Sequence, residues 1–206
     1  MGQAPVSALA AQFNKSSFGL TPSNPQIQFP APIGPGASAP FSLPLVANPQ
    51  LVDAATPPNL GLQIAIKNMH TASIFYFAMS EASFPMWTVF AADGQLEKQQ
   101  FINTWKAIDD SLEVNATVSD LPNANIDVIT QKLAAHNVFY IARRPVPDKP
   151  GQEVVYFSIK TVTAIQFLLE LTFKEGVPMC KVCVKTQSQP YAELVKSAVE
   201  AIIKKP

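Results

Sequence analysis

The hydrophobic pattern of this chain changes its period near Gly94, and that change constrains the fold more than any other feature of the sequence. Before Gly94, apolar residues alternate with less apolar ones, as they do in half-buried strands. The clearest case is residues 61–68, and residues 73–79 form a second apolar run. Because no helical pattern precedes residue 94, this half of the chain predicts an all-β fold, specifically a β-sandwich.

The first 60 residues have an unusual composition, with 11 of the 19 prolines and only two charges, Lys15 and Asp53. Such a composition is also typical of disordered linkers. However, short apolar runs at residues 8–13, 27–29 and 41–46 have strand spacing, and Pro and Gly residues separate them. This arrangement favours short strands joined by turns.

After Gly94 the sequence predicts a mixture of helices and strands. The predicted helices span residues 95–108, 123 or 125 to 136, and 190–203. The predicted strands span residues 112–118, 138–144, 153–162, 165–174 and 179–185. This order indicates an α+β platform in which helices flank an antiparallel sheet. We therefore divide the chain into a β-sandwich subdomain, residues 1–88, and a platform subdomain, residues 89–206.

The bulk composition excludes several classes of protein. The 206 residues include 15 acidic and 15 basic side chains, so the net charge is zero, whereas nucleic-acid binding needs a clustered basic excess. No apolar run reaches the ~18 residues that a transmembrane helix needs. The N-terminus lacks a secretory signal pattern, and two cysteines in this length fit a reducing compartment. We predict a cytosolic protein that binds no nucleic acid.

The residues that usually carry catalysis or metal binding do not form a recognisable pattern. His70 and His136 are the only histidines, and neither has the spacing of a metal ligand or of a catalytic triad. Cys180 and Cys183 lie three apart on a predicted strand, so their thiols point to opposite faces and cannot share a metal ion or readily form a disulfide. The sequence also contains no Gly-rich phosphate loop and no nucleophile elbow. We predict a protein that is not an enzyme and has neither cofactor nor metal.

Trp105 has two interpretations. Phe101, Trp105 and Ile108 form one stripe of the predicted helix, and this periodicity favours a place in the core. The alternative is an exposed aromatic anchor for a ligand. Strand parity collects several polar residues on one side of the predicted sheet: Glu113, Tyr156, Lys160 and Glu170. That side is either an ordinary solvated face or a binding face.

Five segments of the chain resemble the appendage (ear) domain of the clathrin-adaptor beta-adaptins. These segments are residues 11–19 (AQFNKSSFG), 62–68 (LQIAIKN), 75–77 (FYF), 104–106 (TWK) and 141–144 (IARR). They keep the order and approximate spacing of the family from residue 11 to the C-terminus. The resemblance implies a β-sandwich followed by an α+β platform.

The resemblance also implies a function as a protein-interaction hub. Beta-adaptin appendages bind short motifs in unstructured segments of accessory and cargo-adaptor proteins. They also help to recruit clathrin during coated-vesicle formation, in endocytic and intracellular protein transport. The partners expected here are therefore such peptides, clathrin and, through the parent chain, other adaptor-complex subunits. The expected location is the cytoplasm, at clathrin-coated membranes and vesicles, with only indirect membrane contact.

Two other functions remain open. One is a structural platform of a larger assembly that has no peptide groove. The other is a small-molecule carrier that uses the aromatic patch near Phe84, Met86 and Trp87.

The resemblance assigns two sets of binding residues. The platform peptide-binding site consists of Trp105, Lys106, Tyr156, Glu113, Glu170, Arg144 and Lys160. The sandwich side site consists of Tyr76, Gln63, Ala65 and Lys67.

The sequence departs from the family in two places. Gln166 replaces an aromatic residue near the platform site, which affects the expected motif preference. The family's sandwich also begins with two more strands, whereas only nine residues precede the first matching strand here. We therefore expect either a fragment or a sandwich that lacks its first strands and exposes apolar edges.

Overall fold

The computed structural model describes residues 4–53, 58, 60–80 and 84–206. The chain forms two compact units, Met1–Phe84 and Pro85–Pro206. The division between these units falls slightly before the one that we placed at residues 88 and 89. None of the helices in the described ranges is long and apolar enough to cross a membrane.

The described part of the first unit consists of strands in two antiparallel sheets. The strands are β1 (Val6–Phe13), β2 (Leu20–Pro22), β3 (Gln26–Ile33), β4 (Leu45–Ala47), β5 (Leu62–Asn68) and β6 (Ile74–Met79). One sheet has four strands in the order β3-β1-β5-β6, and the other pairs β2 with β4. Pro30 and Pro32 lie on β3, an edge strand, where a missing backbone N–H donor is tolerated.

The core of the first unit follows the strand alternation. Ala11 and Phe13 are buried on β1, while Gln12 between them is exposed. Phe18, Leu20, Ile27 and Leu62 are also buried. Gly19 adopts a positive φ of 58°, and a Cβ there would lie 2.3 Å from the backbone oxygen of Asn48, so this turn requires glycine.

Strand β6 is exposed on both of its faces. Four consecutive large side chains, residues 74–77, are each about half exposed or more, and Tyr76 is 79% exposed. β6 pairs with β5 on one side and forms the edge of its sheet. We call residues 74–77 the β6 apolar edge.

The second unit contains one five-stranded antiparallel sheet and three helices. Its elements are α1 (Lys98–Ala107), β7 (Glu113–Val118), α2 (Ile126–Ala134), β8 (Phe139–Pro145), β9 (Gln152–Lys160), β10 (Gln166–Lys174), β11 (Cys180–Lys185) and α3 (Ala192–Ile203). The strand order is β7-β11-β10-β9-β8, so β10 lies at the centre. Together with the sheets of the first unit, this confirms the predicted fold class.

Helices α2 and α3 contact strands of this sheet, and α1 contacts β8. Val155, Phe157 and Ile159 on β9 are fully buried, and so are Phe167 and Leu169 on β10. These residues lie at alternate positions of β9 and β10, so they share one face of the sheet. On the opposite parity, Leu168 is equally buried, because it packs under α1 with Phe101 and Ile108.

The segment that leads into α1 is fixed onto β9. The Ser158 hydroxyl accepts a hydrogen bond from the Leu96 backbone N–H at 3.1 Å and donates to the Gly94 carbonyl at 2.9 Å. A Cβ at Gly94 would lie 2.8 Å from the Lys160 backbone nitrogen. Because these residues are held against the strand, α1 begins at Lys98 rather than at the predicted residue 95.

Strand β8 contains an irregularity between Tyr140 and Ala142. Tyr140 pairs with Phe157, and Ala142 pairs with Tyr156, the residue adjacent to Phe157 on β9. Ile141 is therefore an extra residue that interrupts the alternation. Both Ile141 and Ala142 line the same surface, next to α1.

Candidate functional site

Three aromatic side chains meet where α1 crosses the sheet. Phe101 and Trp105 are one helical turn apart, with ring centroids 5.6 Å apart and planes inclined by 26°. Tyr156 of β9 contacts both rings, at centroid distances of 5.6 Å from Phe101 and 5.9 Å from Trp105. We call Phe101, Trp105 and Tyr156 the aromatic cluster.

The aromatic cluster continues the core outward to the surface. Phe101 is buried with Ile108 and Leu168, whereas Trp105 and Tyr156 are only partly buried and pack against that group. Trp105 is thus neither sealed in the core, as periodicity alone indicates, nor fully open to water. A half-buried ring of this kind has a fixed position and still offers surface to a ligand.

A groove of about 360 Å³ runs along the aromatic cluster between α1 and β8. Its lining residues are Lys98, Phe101, Ile102, Trp105, Lys106, Ile141, Ala142, Arg143, Arg144 and Tyr156. We call it the α1–β8 groove. Its lining combines apolar side chains with four cationic ones, and none of the described residues that line it is acidic.

Arg144 and Tyr156 are joined at the wall of this groove. The Arg144 guanidinium donates hydrogen bonds to the Tyr156 hydroxyl, at 2.7 Å from Nη2 and 3.2 Å from Nε. Burial raises the pKa of Tyr156, and the nearby Glu170 carboxylate raises it further, while Arg144 opposes the shift. Glu170 is directly opposite Tyr156 in the register of β10 and β9, so the three side chains form one polar network.

Lys185, the last residue of β11, lies beneath Trp105. Its side chain is only 1% exposed, and its Nζ lies 2.6 Å from Asp110 Oδ1, 3.5 Å from Glu113 Oε1 and 5.2 Å from the centre of the Trp105 ring. Desolvation lowers the pKa of Lys185, but the hydrogen bond and charge of Asp110, together with the charge of Glu113, outweigh it and leave the pKa raised. Lys185 is therefore a charged group held inside the site.

Four of the predicted platform residues line the α1–β8 groove, namely Trp105, Lys106, Arg144 and Tyr156. The other three do not line it and have protein partners. Glu113 faces Lys185, Glu170 lies beside Tyr156, and the Lys160 Nζ lies 2.6 Å from Asp93 Oδ2. The ligand-binding roles assigned to all seven stay predictions.

Several residues that line the groove, and Lys185 beneath it, are not among the predicted site residues. Lys98 and Ile102 are at positions i−7 and i−3 from Trp105, so helical spacing contained the signal that places them beside it. Ile141 carried no such signal, because the irregularity of β8 breaks the alternation. Lys185 was missed because a lysine at the end of a strand is normally exposed.

The predicted side-site residues share one face of the first unit's sheet. Ala65 is directly opposite Tyr76, while Gln63 pairs with Ala78 and Lys67 with Ile74. Gln63, Lys67 and Tyr76 are exposed, and Ala65 is half-buried. The Gln63 side chain also accepts a hydrogen bond from Asn14 at 2.7 Å.

The cysteines and histidines have structural surroundings. Cys180 and Cys183 are buried free thiols, and burial raises the pKa of each to about 12. His70 hydrogen-bonds to Ser7, and the His136 ring hydrogen-bonds to the Lys132 carbonyl near the end of α2. Within the described ranges, no group of three or more His, Cys, Asp or Glu residues is arranged to hold a metal ion.

Comparison with known proteins identifies the family. The family described as "Beta2-adaptin appendage, C-terminal sub-domain" matches residues 91–203, which is more than half of the chain and includes the whole α1–β8 groove. The chain belongs to the beta-adaptin appendage family, whose members are non-catalytic modules for protein interaction.

Relatives of the chain are subunits of an adaptor complex. It is 33% identical over 198 residues to AP-1 complex subunit beta-1 of Homo sapiens, a match that covers 95% of this chain and 20% of that protein. It is 28% identical over 199 residues to AP-1 complex subunit beta of Dictyostelium discoideum, covering 96% of this chain and 20% of the relative. The chain thus spans about a fifth of the length of these curated relatives.

Proposed function

We propose that this chain is the appendage of a clathrin-adaptor beta subunit and that its α1–β8 groove binds short peptide motifs. One observation carries this proposal: the half-buried Trp105 and Tyr156 rings lie 5.9 Å apart on the wall of an apolar groove with a cationic rim. Family membership supports the clathrin-adaptor role.

The groove's shape and chemistry favour a peptide with two large apolar side chains. An amphipathic helix or turn would place these side chains against the aromatic cluster. Aromatic groups in such positions usually dominate the binding energy. Acidic ligand residues would meet Lys98, Lys106 and Arg144 at the rim, where exposed pairs contribute only ~0–1 kcal/mol each and mainly set register.

We expect each single motif to bind weakly. A small interface, together with the cost of ordering an unstructured ligand, corresponds to micromolar affinity or ~8 kcal/mol. Weak sites suit a coat in which many motifs meet many appendages, because avidity provides retention while each contact exchanges fast. The partners that we propose are accessory and cargo-adaptor proteins, at the cytoplasmic side of coated membranes.

The test of the groove is Trp105→Ala, with binding measured by calorimetry. The probe is a short synthetic peptide with several Asp residues followed by two Phe residues one helical turn apart. Loss of an aromatic anchor costs about 2 kcal/mol or more, so we expect affinity to fall at least about thirtyfold. The melting temperature should change little, because the ring is only partly buried.

Trp87→Ala is the matched control, because Trp87 is the only other tryptophan and contacts His136 and Lys205 instead. It should leave peptide affinity unchanged. Equal loss in both variants, or no loss in Trp105→Ala, would contradict the proposal and favour a structural platform that has no peptide groove.

We also propose a second docking surface around Tyr76, because this side chain is 79% exposed and shares its face with Gln63, Ala65 and Lys67. Its ligands would differ from those of the groove and include clathrin. We expect Tyr76→Ala to lower clathrin capture and to leave the affinity of the groove peptide unchanged. If Tyr76→Ala and Trp105→Ala affect the same ligands equally, the two-site proposal is wrong.

A further inference from the structure

Strand β6 is an edge strand that carries none of the usual protection against pairing with another chain. Its six residues include no charged side chain and no proline, the two commonest features that keep an edge strand from accepting a partner. The opposite edge of the same sheet, β3, contains Pro30 and Pro32, and its register with β1 is irregular near Val6. β6 is therefore the edge of this sheet that can accept a further strand.

The hydrogen bonds of β5 alternate between its two neighbouring strands. The Asn14 backbone N–H donates to the Gln63 carbonyl at 3.0 Å, on the side of β1. The Asn68 backbone N–H donates to the Ser73 carbonyl at 2.8 Å, on the side of β6. Directly opposite residues of an antiparallel pair exchange hydrogen bonds at every second position. The odd-numbered residues of β6 are therefore the ones that bond to β5.

The even-numbered residues of β6 have their backbone groups on the open side of the strand. These residues are Ile74, Tyr76 and Ala78, and their N–H and C=O groups point away from β5. Among the described strands, none lies beyond β6 in the order of the sheet. Each of the three residues thus offers one donor and one acceptor to a strand that arrives from that side.

We propose that this strand is the β6 of a second copy of the chain, antiparallel to the first about a twofold axis at Tyr76. In this register Tyr76 lies opposite Tyr76 of the second copy, and Ile74 lies opposite its Ala78. All three outward residues then form hydrogen-bonded pairs. An axis at Phe75 or Phe77 would leave only two such pairs on β6, so the backbone favours Tyr76.

The side chains of this register fit together on both faces of the joined sheet. On one face, Phe75 lies opposite Phe77 of the second copy, and the symmetry forms this pair twice. The two side chains are 54% and 56% exposed in a single copy, so pairing removes aromatic surface from water. On the other face the two Tyr76 rings are neighbours. Cross-strand aromatic pairs of this kind stabilise antiparallel sheets.

The charges near β6 do not oppose the pairing. Lys67 of β5 lies beside Ile74, and in the joined sheet that row continues to Ala78 and Gln63 of the second copy. Lys67 therefore meets neutral side chains, whereas like charges directly opposite would be destabilising. An edge that is complementary to itself, and that has no charge to select a foreign strand, favours a second copy as its occupant.

The pairing closes at two copies, because each copy has one such edge. Only one strand of each copy is covered, so the interface is of the small class, below about 1,200 Å², that is typical of weak complexes. We therefore expect a dissociation constant in the micromolar to millimolar range. Pairing covers Tyr76, so the dimer and ligands of the second docking surface exclude each other. The α1–β8 groove takes no part.

Sedimentation equilibrium of the full chain, from about 5 µM to about 1 mM, tests the proposal. We expect the mass to rise from 22.3 kDa towards twice that value. Ala78→Pro removes one outward N–H group and leaves the hydrogen bonds to β5 intact, so it should weaken pairing at least about tenfold. Ala78→Ser keeps the N–H group and is the matched control, with pairing close to that of wild type.

A charge exchange tests the register. Tyr76→Lys and Tyr76→Glu should each remain monomeric, because like charges would lie directly opposite each other. An equimolar mixture of the two should associate at least about fivefold more tightly than either variant alone, as expected for an ion pair across the axis. Ile74→Lys mixed with Ile74→Glu is the control. Residue 74 faces Ala78 in this register, so that mixture should gain little.

Amide hydrogen exchange provides a residue-level measurement. The N–H groups of Ile74, Tyr76 and Ala78 should exchange fast at low concentration and more slowly at high concentration. Those of Phe75 and Phe77 should be protected at both, because they bond to β5. Equal behaviour of the two sets would contradict the proposed edge.

Three outcomes would overturn the proposal. A chain that stays monomeric at every concentration would leave this edge to an extended strand of another protein. A dimer that Ala78→Pro and Tyr76→Lys leave intact would have its interface elsewhere. Growth beyond dimers would show that the apolar faces associate rather than the edge. The Tyr76 variants decide the matter even if Ala78→Pro does not fold, because that side chain is 79% exposed. None of these outcomes affects the proposed role of the α1–β8 groove.

Discussion

Strands β6 and β10 are both rich in large apolar residues, but their surroundings are very different. Both lie in antiparallel sheets. Yet Phe77 on β6 is 56% exposed, whereas Phe167 on β10 is fully buried. β10 is central and has strands on both sides, while β6 is an edge strand.

The difference shows that burial depends on what covers a strand as well as on the strand's own pattern. An apolar run indicates that a strand will form, because such residues fit a pleated sheet. Whether the run becomes core or surface depends on neighbours that are distant in sequence. Among the described residues of the second unit, Leu168 is covered by α1, which begins about 70 residues earlier in the chain.

The strongest test of this comparison replaces a phenylalanine on each strand. Phe167→Ala should lower the free energy of unfolding by about 3–5 kcal/mol, because it leaves a cavity in a close-packed core. Phe77→Ala should cost less than about 1 kcal/mol, because more than half of the side chain is already in water. Urea unfolding followed by circular dichroism measures both.

Similar losses in the two phenylalanine variants would show that β6 is covered in solution. In that case the contrast between an exposed β6 and a buried β10 would be wrong, and the β6 apolar edge would be a buried surface. A small loss for Phe167→Ala would instead show that the second unit packs loosely.

A second test weakens one of the helices that cover the sheet. The Asn125 side chain caps α2 by accepting hydrogen bonds from the backbone N–H groups of Asp127 and Val128. Asn125→Ala should lower the free energy of unfolding by about 1 kcal/mol. Glu97 precedes α1 and makes no capping bond with its side chain, so Glu97→Ala is a matched control with little expected effect. Equal effects in thermal unfolding would show that the cap contributes nothing.

The smallest expected change in stability comes from the ion pair between Asp93 and Lys160. The hydrogen bond from Lys160 lowers the pKa of Asp93 below its ordinary value of 3.8. A lowered folded-state pKa stabilises the fold above the unfolded value, and this contribution is lost as the pH falls through the folded value. Asp93→Asn should therefore be slightly less stable than wild type at neutral pH, and the gap should close well below pH 4.

Glu175→Gln, at an exposed turn residue, is the control for general charge effects in this series. If the difference in stability between Asp93→Asn and wild type persists or widens in acid, the ion pair with Lys160 is not its cause. Thermal unfolding at a series of pH values provides the measurement.

The sequence was informative where one short-range rule decides the structure. Alternation on residues 165–174 predicted the strand β10, in which Phe167, Leu169 and Leu171 are buried. Of the two candidate caps of α2, Asn123 and Asn125, it is Asn125 that caps the helix. The same alternation placed Tyr156 and Glu170 on one side of the sheet. These rules work because a side chain's direction follows from its position in the strand or helix.

The site was harder to predict because it depends on long-range contacts. The burial of Lys185 depends on Asp110, Glu113 and Trp105, which lie far from it along the chain. The beginning of α1 depends on Ser158, a residue of β9. No local pattern contains such information, since each contact joins elements whose proximity is fixed only by the complete fold.

The extra residue in β8 has a consequence for insertions and deletions in this family. Before Ile141, the ring of Tyr140 packs against the ring of Phe157, with centroids 6.2 Å apart. After Ile141, the Arg144 guanidinium donates a hydrogen bond to the Tyr156 hydroxyl. The extra residue shifts the alternation of side chains, so these two contacts lie on opposite faces of the sheet. Because Ile141 is the extra residue, its deletion would leave a regular strand in which Tyr140 and Ala142 still pair with Phe157 and Tyr156. Both contacts would be retained, and the groove would lose only the Ile141 side chain.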